Sequence, residues 1–175
     1  IRGEQMRNLR RGKATKKEGS QPIYKVKFDG EVMVPMRDGV RLAVDVYRPD
    51  AEGRFPALLA LGPWSKELSS DLQWTFPPQV ETSSRWDGTM EAGSSQYLVS
   101  RGYAHIIAQQ RGIGHSEGMM DKDCEMDGYD LVEWMAQQPW CNGNVGMIGI
   151  SALAMAQLAT AITQPPHLKA IFPYD

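Results

Sequence analysis

The first half of the chain contains short runs in which every second residue is apolar. These runs cover residues 23–28, 31–36 and 40–46, and such alternation predicts half-buried strands. Asp38 and Gly39 lie between the last two runs, and Asp-Gly in that position is typical of a tight hairpin turn. We therefore expect an antiparallel hairpin near the start of the fold.

Beyond the hairpin, continuous apolar runs alternate with segments of helical periodicity. Continuous runs indicate strands buried on both faces, as in a parallel sheet. The predicted strands cover residues 55–61, 103–108, 145–150 and 168–173. The predicted helices cover residues 89–102, 127–138 and 152–163. A hairpin followed by alternating strands and helices predicts an α/β domain with a mainly parallel sheet.

Composition and charge argue against several classes of protein. The chain has 175 residues, 42% of them hydrophobic and 23% charged, as in an ordinary soluble domain. A formal net charge of −2 does not favour nucleic-acid binding. Cys124 and Cys141 make no disulfide framework, and no Cys/His cluster suggests a metal site. No apolar run approaches the roughly 20 residues that span a bilayer.

The N-terminal segment is strongly basic. Residues 1–20 contain seven Lys or Arg and no apolar stretch of the secretory-signal type. We predict a flexible basic arm over residues 1–20, a folded domain portion over residues 21–175, and a cytoplasmic location.

The most informative junction is the one between the strand over residues 145–150 and the helix that follows it. Gly149, Ile150 and Ser151 end an apolar run, and a strongly helix-forming segment begins at Ala152. A serine at an abrupt strand-to-helix turn is how a nucleophile elbow exposes a hydroxyl. We call Gly149, Ile150 and Ser151 the Ser151 junction.

Four segments together carry a family resemblance. They are MRDGVRLAVDVYRP, PALLALGPWSK, QQRGIGHSEG and DLVEWMAQQPWCNGNVGMIGIS. In this order they resemble the α/β-hydrolases of the cocaine esterase and X-prolyl dipeptidyl-peptidase group, from about Tyr24 to Asp175. The resemblance implies the N-terminal portion of an α/β-hydrolase core, and a serine esterase or amidase that acts through an acyl-enzyme without a cofactor.

The resemblance assigns roles to three positions. Ser151 matches the family's nucleophile, and the backbone N–H of Ala152 would be one donor of the oxyanion hole. An amide at a helix start has no acceptor within the helix, which agrees with that role. Trp64 matches a family tyrosine that supplies a second donor. Its indole N–H could replace the tyrosine hydroxyl, or the ring could pack over the pocket mouth.

The irregular segment over residues 65–87 is predicted to be a lid or binding loop. Its large apolar side chains either line the substrate pocket or simply cover the sheet. They are Trp74, Phe76 and Trp86.

The chain departs from the family pattern at several positions. Leu153 replaces the glycine of the strict G-x-S-x-G elbow, and Ala154 also replaces a family glycine. Gln109 replaces a family aspartate and is expected to hydrogen-bond the following loop. We expect Arg111, also in that loop, to pair with a carboxylate such as Asp130.

No histidine occupies the position of a general base. The family order is Ser, then Asp or Glu, then His, and only 24 residues follow Ser151. His167 is expected at the opposite sheet edge, His105 in the core, and His115 one strand away. We therefore expect the acid and base to come from residues outside this chain, as a separate chain, a subunit or further residues. This chain alone would then be inactive.

Two other functions remain open at this point. One is a catalytically inactive α/β-hydrolase-like module that binds an acyl compound or a protein. The other treats the RGIGHSEG loop (residues 111–118) as a phosphate cradle, although it lacks the Lys-Ser/Thr of a P-loop and a strict G-x-G-x-x-G.

Overall fold

The computed structural model describes residues 19–66, 91–120 and 126–174. Residues 1–18 of the predicted basic arm lie outside these ranges. Within them the strands are β1 (Val26–Pro35), β2 (Arg41–Pro49), β3 (Phe55–Gly62), β4 (Ala104–Gln109), β5 (Cys141–Ile150) and β6 (Leu168–Tyr174). The helices are α1 (Ser95–Ser100), α2 (Asp127–Ala136) and α3 (Ala152–Ile162). None of these described helices is long and apolar enough to cross a membrane.

The strands form one sheet in the order β1-β2-β4-β3-β5-β6. The pairs β1–β2 and β2–β4 are antiparallel, whereas β4–β3, β3–β5 and β5–β6 are parallel. This confirms the predicted mainly parallel sheet with an N-terminal antiparallel hairpin.

The hairpin turn has the predicted chemistry. The Met36 N–H donates to the Val40 carbonyl at 2.8 Å, and the Asp38 carboxylate accepts the Val40 N–H at 3.1 Å. Gly39 has a φ of +90°, a backbone conformation that glycine adopts without steric cost. The Asp-Gly signal therefore located this turn correctly.

The prediction of two separate strands over residues 23–28 and 31–36 is wrong, because β1 is continuous across them. The register with β2 shifts between Asp29 and Val32. At that bulge Glu31 has a φ of +54°, and its N–H donates to Asp45 Oδ1 at 3.0 Å. The Glu31 N–H is thus hydrogen-bonded to the Asp45 carboxylate instead of to β2. Pairing between β1 and β2 resumes at Val32.

The predicted helix over residues 89–102 is wrong for residues 91–94, because α1 begins only at Ser95. Glu91 and Gly93 have φ values of +61° and +86°, which no right-handed helix accepts. Ser94 then caps the helix, since its side chain accepts the Tyr97 N–H at 3.2 Å.

The core lies mainly on one face of the sheet. Apolar residues of the central strands alternate between the two faces, as the strand period requires. Leu59 and Ile106 belong to the large cluster beneath α2, whereas their neighbours Ala60 and Ile107 belong to a smaller cluster. Leu153 of α3 joins that smaller cluster, which places the start of α3 over the end of the sheet.

The structure confirms β6 as the last predicted strand. It pairs with β5 on one side, and Phe172 and Tyr174 remain about half exposed. The outer face of α3 also exposes a row of apolar side chains, which consists of Met155, Leu158 and Ile162.

Candidate active site

Three parallel strands end at the same edge of the sheet. Their last residues are Gly62 of β3, Gln109 of β4 and Ile150 of β5. Ser151 follows β5 directly, and Trp64 and the RGIGHSEG loop each begin two residues after their strands end. In open α/β sheets, ligands bind outside the carboxyl ends of the strands.

Ser151 has a strained backbone at this edge. Its φ is +55° and its ψ is −121°, and α3 begins at the next residue. A non-glycine residue in such a conformation costs on the order of 1–3 kcal/mol and persists only when the surroundings hold it. The Ser151 N–H donates to the Tyr174 carbonyl at 3.1 Å. The hydroxyl does not cap α3, and the residue is exposed. It is therefore accessible for chemistry.

The amide of Ala152 lies next to that hydroxyl. The Ser151 carbonyl accepts the N–H groups of Ala154 and Met155 at 2.9 and 3.2 Å, which closes the first turn of α3. Within the described residues the Ala152 N–H donates to no acceptor. A free amide at a helix start is the group that stabilises a developing oxyanion.

Leu153 occupies the position of the last glycine in the strict G-x-S-x-G elbow. It fits there because two glycines on the sheet leave room for its side chain. A Cβ on Gly62 would lie 2.4 Å from Leu153 Cδ1, and one on Gly149 would lie 2.4 Å from Leu153 Cβ. Leu153 is only 2% exposed. The close approach of helix and strand is thus preserved, with the glycines on the strand side.

Trp64 contacts a residue that the sequence did not indicate. Its indole N–H donates to the Glu91 carboxylate at 2.9 Å, and the residue is 39% exposed. The Glu91 carbonyl in turn accepts the Ile150 N–H at 3.1 Å. Glu91 therefore links Trp64 to the residue that precedes Ser151. A second oxyanion donor at Trp64 requires its indole N–H to leave Glu91.

Arg111 holds the base of the RGIGHSEG loop. Its guanidinium donates to both Asp127 carboxylate oxygens at 2.6 and 2.7 Å and to Asp38 at 2.5 Å. These carboxylates raise the pKa of Arg111. The predicted pairing with Asp130 is wrong, because Asp130 lies one helical turn further on and binds Arg37.

Most backbone N–H groups of the RGIGHSEG loop donate hydrogen bonds within the protein. Backbone carbonyls accept the N–H groups of Gly112, Ile113, Ser116 and Glu117 at 2.9 to 3.1 Å. A phosphate cradle needs several free amides that point to one place. The loop therefore does not support phosphate binding.

Gln109 has the structural role expected of it. Its side-chain oxygen accepts the His115 N–H at 3.1 Å, and its backbone carbonyl accepts the Ser116 hydroxyl at 2.9 Å. Gln109 is fully buried. It fixes the loop on the end of β4.

His167 lies at the wrong end of the sheet, as expected. It directly precedes β6, and its Nδ1 is 2.7 Å from the Glu133 carboxylate. The length of β6, about 20 Å at 3.3 Å per residue, separates it from Tyr174, whose carbonyl binds Ser151. This His–carboxylate pair cannot reach the Ser151 hydroxyl.

The other two histidines also have structural partners. His115 Nδ1 is 2.5 Å from Glu31 of β1, which three intervening strands separate from β5, and this contact is the main reason that the pKa of Glu31 is lowered. His105 is fully buried, with Nδ1 2.8 Å from the Ser95 hydroxyl. Burial lowers the pKa of His105 to about 4. It is a neutral core histidine.

Some predicted site residues lie outside the described residues, and two relevant ones were missed. Trp74, Phe76 and Trp86 fall in the range 67–90 and have no structural account. The missed residues are Glu91 and Gln157. Gln157 could have been suspected as the lone amide in the apolar run of α3, whereas nothing local marks Glu91. Across the described ranges, no group of three or more His, Cys, Asp or Glu could hold a metal ion.

Comparisons with known proteins show which family this chain resembles. The model of the X-Pro dipeptidyl-peptidase (S15) family matches residues 38–174. A cocaine esterase from Rhodococcus is 43% identical over 144 residues, covering 81% of this chain and 22% of the esterase. A Xaa-Pro dipeptidyl-peptidase from Lactobacillus delbrueckii subsp. lactis is 25% identical over 183 aligned positions, covering 76% of this chain and 23% of the peptidase.

A solved structure gives the same fold. The crystal structure of a CocE/NonD family hydrolase from Staphylococcus aureus superposes with a TM-score of 0.71 at 31% identity. The match covers 83% of this chain and 27% of that hydrolase. The sheet is that of an α/β-hydrolase, and the chain spans about a quarter of the length of these relatives.

Proposed function

Because the chain belongs to the X-Pro dipeptidyl-peptidase (S15) family, we propose that it is the nucleophile-bearing part of a serine hydrolase. The reaction is cleavage of an ester or amide through an acyl-enzyme. The observation that carries this proposal is the backbone of Ser151, whose φ of +55° and ψ of −121° expose a hydroxyl that caps nothing. Backbone strain of this kind is typical of functional sites.

Ser151 Oγ attacks the carbonyl carbon of the substrate, and a general base takes the hydroxyl proton. The carbonyl oxygen becomes an oxyanion, which the Ala152 N–H stabilises. Collapse of this intermediate expels the alcohol or amine, which receives the proton, and leaves an acyl group on Ser151. Water then attacks the acyl group in the same way and releases the acid.

Trp64 is the proposed second oxyanion donor. It follows β3 at the same sheet edge as Ser151, and Glu91 connects it to Ile150. In the reacting complex its indole N–H would break the hydrogen bond to the Glu91 carboxylate and donate to the oxyanion instead. Trp74, Phe76 and Trp86 are the proposed apolar surface for the acyl group.

The acid and the base come from outside this chain, as a separate polypeptide, a subunit or further residues of a longer protein. Two observations support this proposal. The described histidines have the structural partners Glu31, Ser95 and Glu133. The half-exposed Phe172 and Tyr174 on β6 offer an apolar surface for additional structure.

A fluorophosphonate probe tests the function, in an active preparation that contains every polypeptide. We expect a covalent adduct on Ser151, located by peptide mass spectrometry, together with loss of esterase activity. An active preparation without an adduct on Ser151 would reject the nucleophile assignment. Intact mass spectrometry of the same preparation tests the partner, because full activity in a sole species of about 19.5 kDa would reject it.

An inactive binding module is the second candidate. The hydrogen bond between Trp64 and Glu91 favours it, since one proposed oxyanion donor is engaged elsewhere. In that case an acyl compound would bind without adduct formation or turnover, which the same preparation would reveal by calorimetry.

A further inference from the structure

Gln157 is a buried amide in an otherwise apolar helix. It lies on α3, six residues after Ser151, and is 0% exposed. Its Nε2 donates to the Gly149 carbonyl at 3.0 Å, and its Oε1 accepts the Phe172 N–H at 2.8 Å. One side chain thus joins α3 to both β5 and β6.

These contacts lie at the irregular end of the ladder between β5 and β6. Gly149 lies opposite Pro173 in the register of the two strands. Proline has no N–H to give to the ladder, and Gly149 has a φ of +142°. Buried backbone groups require hydrogen-bond partners, and the Gln157 amide supplies a donor to the Gly149 carbonyl and an acceptor to the Phe172 N–H at this point.

Each residue of the Ser151 junction is then held by a different part of the fold. Gly149 is held by Gln157, Ile150 by the Glu91 carbonyl, and Ser151 by the Tyr174 carbonyl. Gln157 also supports the contact between Ser151 and Tyr174, because it binds Phe172, which lies two residues before Tyr174 on the same strand. The strained conformation of Ser151 requires this kind of surrounding support.

We propose that Gln157 is a positioning residue for the Ser151 nucleophile. Its amide fixes the Gly149 carbonyl and β6 together, which keeps the Ser151 hydroxyl and the Ala152 N–H in one geometry. The proposal rests on the proposed function of Ser151. Gln157 itself touches no substrate, so its loss should slow the chemical step and leave substrate binding unchanged.

The test is Gln157→Met in the complete active enzyme, which removes both hydrogen bonds at similar volume. We expect kcat and the rate of fluorophosphonate labelling to fall together, by about 10²-fold for a displacement near 1 Å. KM should stay within about twofold, since only the transition state loses an interaction. The matched control is Thr160→Val, which removes the buried hydrogen bond from Thr160 to the Ala156 carbonyl on the same helix.

Thermal unfolding of both variants separates positioning from stability. Equal melting temperatures with a loss of kcat only in Gln157→Met support the proposal. If Gln157→Met does not fold, Gln157→Glu gives the same readout. Its carboxylate still accepts the Phe172 N–H, but when ionised it has no donor for Gly149.

The outcomes distinguish the two proposals. A wild-type enzyme that gains no adduct on Ser151 overturns the proposed function, and the role of Gln157 with it. A labelled wild type together with a folded Gln157 variant that reacts at the same rate overturns the role of Gln157 alone. A raised KM with unchanged kcat would also overturn it.

Discussion

Two loops at the same sheet edge, one on each side of β3, differ in how their polar groups are used. The RGIGHSEG loop after β4 contains Arg111, His115, Ser116 and Glu117, which are all residue types found in active sites. The Ser151 junction at the end of β5 contains a single serine. Yet the hydroxyl of Ser116 donates to Gln109 and accepts the Ala43 N–H, both at 2.9 Å. Whether a side chain is available for chemistry therefore depends on whether its polar group is free of hydrogen bonds within the protein. The number of polar residues in a loop does not decide it.

The two loops also differ in where they place the left-handed backbone. In the RGIGHSEG loop, Gly112 and Gly114 have φ values of +70° and +53°, where glycine meets little strain. At the junction, Ser151 itself has a φ of +55°. A loop that only needs to turn uses glycine, whereas the junction retains a strained residue with a hydroxyl.

Replacing each of the two serines by alanine should give the largest difference in turnover between the two loops. Ser151→Ala should reduce turnover on the order of 10⁶-fold, because the nucleophile is lost, and leave the free energy of unfolding nearly unchanged. Ser116→Ala should preserve turnover and lower the free energy of unfolding by about 1–3 kcal/mol, because a buried amide loses its acceptor. Ester hydrolysis and urea unfolding measure both. Loss of turnover in folded Ser116→Ala would remove the distinction between the loops.

Arg111→Met should be the most destabilising change in the RGIGHSEG loop. It leaves the buried Asp127 carboxylate without its cation, which typically costs about 3–5 kcal/mol. Arg37→Met is the matched control, because Arg37 is 50% exposed in its pair with Asp130 and should lose far less. Denaturant unfolding at neutral pH measures both. Equal losses would contradict the structural role of Arg111.

Trp64→Phe tests the second oxyanion donor, because phenylalanine keeps an apolar ring and lacks the indole N–H. We expect kcat to fall by about 10²–10³-fold. Glu91→Gln is the control, since its amide oxygen still accepts the indole hydrogen bond, and it should retain most of kcat. If Trp64→Phe changes KM alone, the ring covers the pocket mouth and donates nothing to the oxyanion.

Gly62→Ala should give the smallest effect of this series. The added Cβ would meet Leu153 at 2.4 Å, and overpacking of this kind costs about 1–3 kcal/mol. Leu153→Ala in the same chain should recover part of the loss, whereas Gly19→Ala, with nothing within 4 Å, should be neutral. Thermal unfolding checks all three. An additive double variant would mean that Gly62 and Leu153 do not interact.

Local patterns predicted the sheet and the Ser151 junction, and they failed where a choice between similar residues was required. Asp127 and Asp130 lie one turn apart on α2, and the sequence gives no reason to prefer either as the partner of Arg111. The fold decides it, because Asp127 faces the buried guanidinium whereas Asp130 meets Arg37. The start of α1 was missed for a similar reason. The left-handed conformation of Glu91 accompanies its contact with Ile150, and helix propensity contains no information about that contact.

The sequence by itself determined the order of strands and helices from β2 onward, the hairpin turn and the position of Ser151 between β5 and α3. These features depend on side-chain periodicity and on turn residues that are neighbours along the chain. Only the tertiary structure revealed the links from Gln157 to Gly149 and from Glu91 to Trp64 and Ile150. Those contacts join residues from separate elements, and their formation depends on how the elements pack.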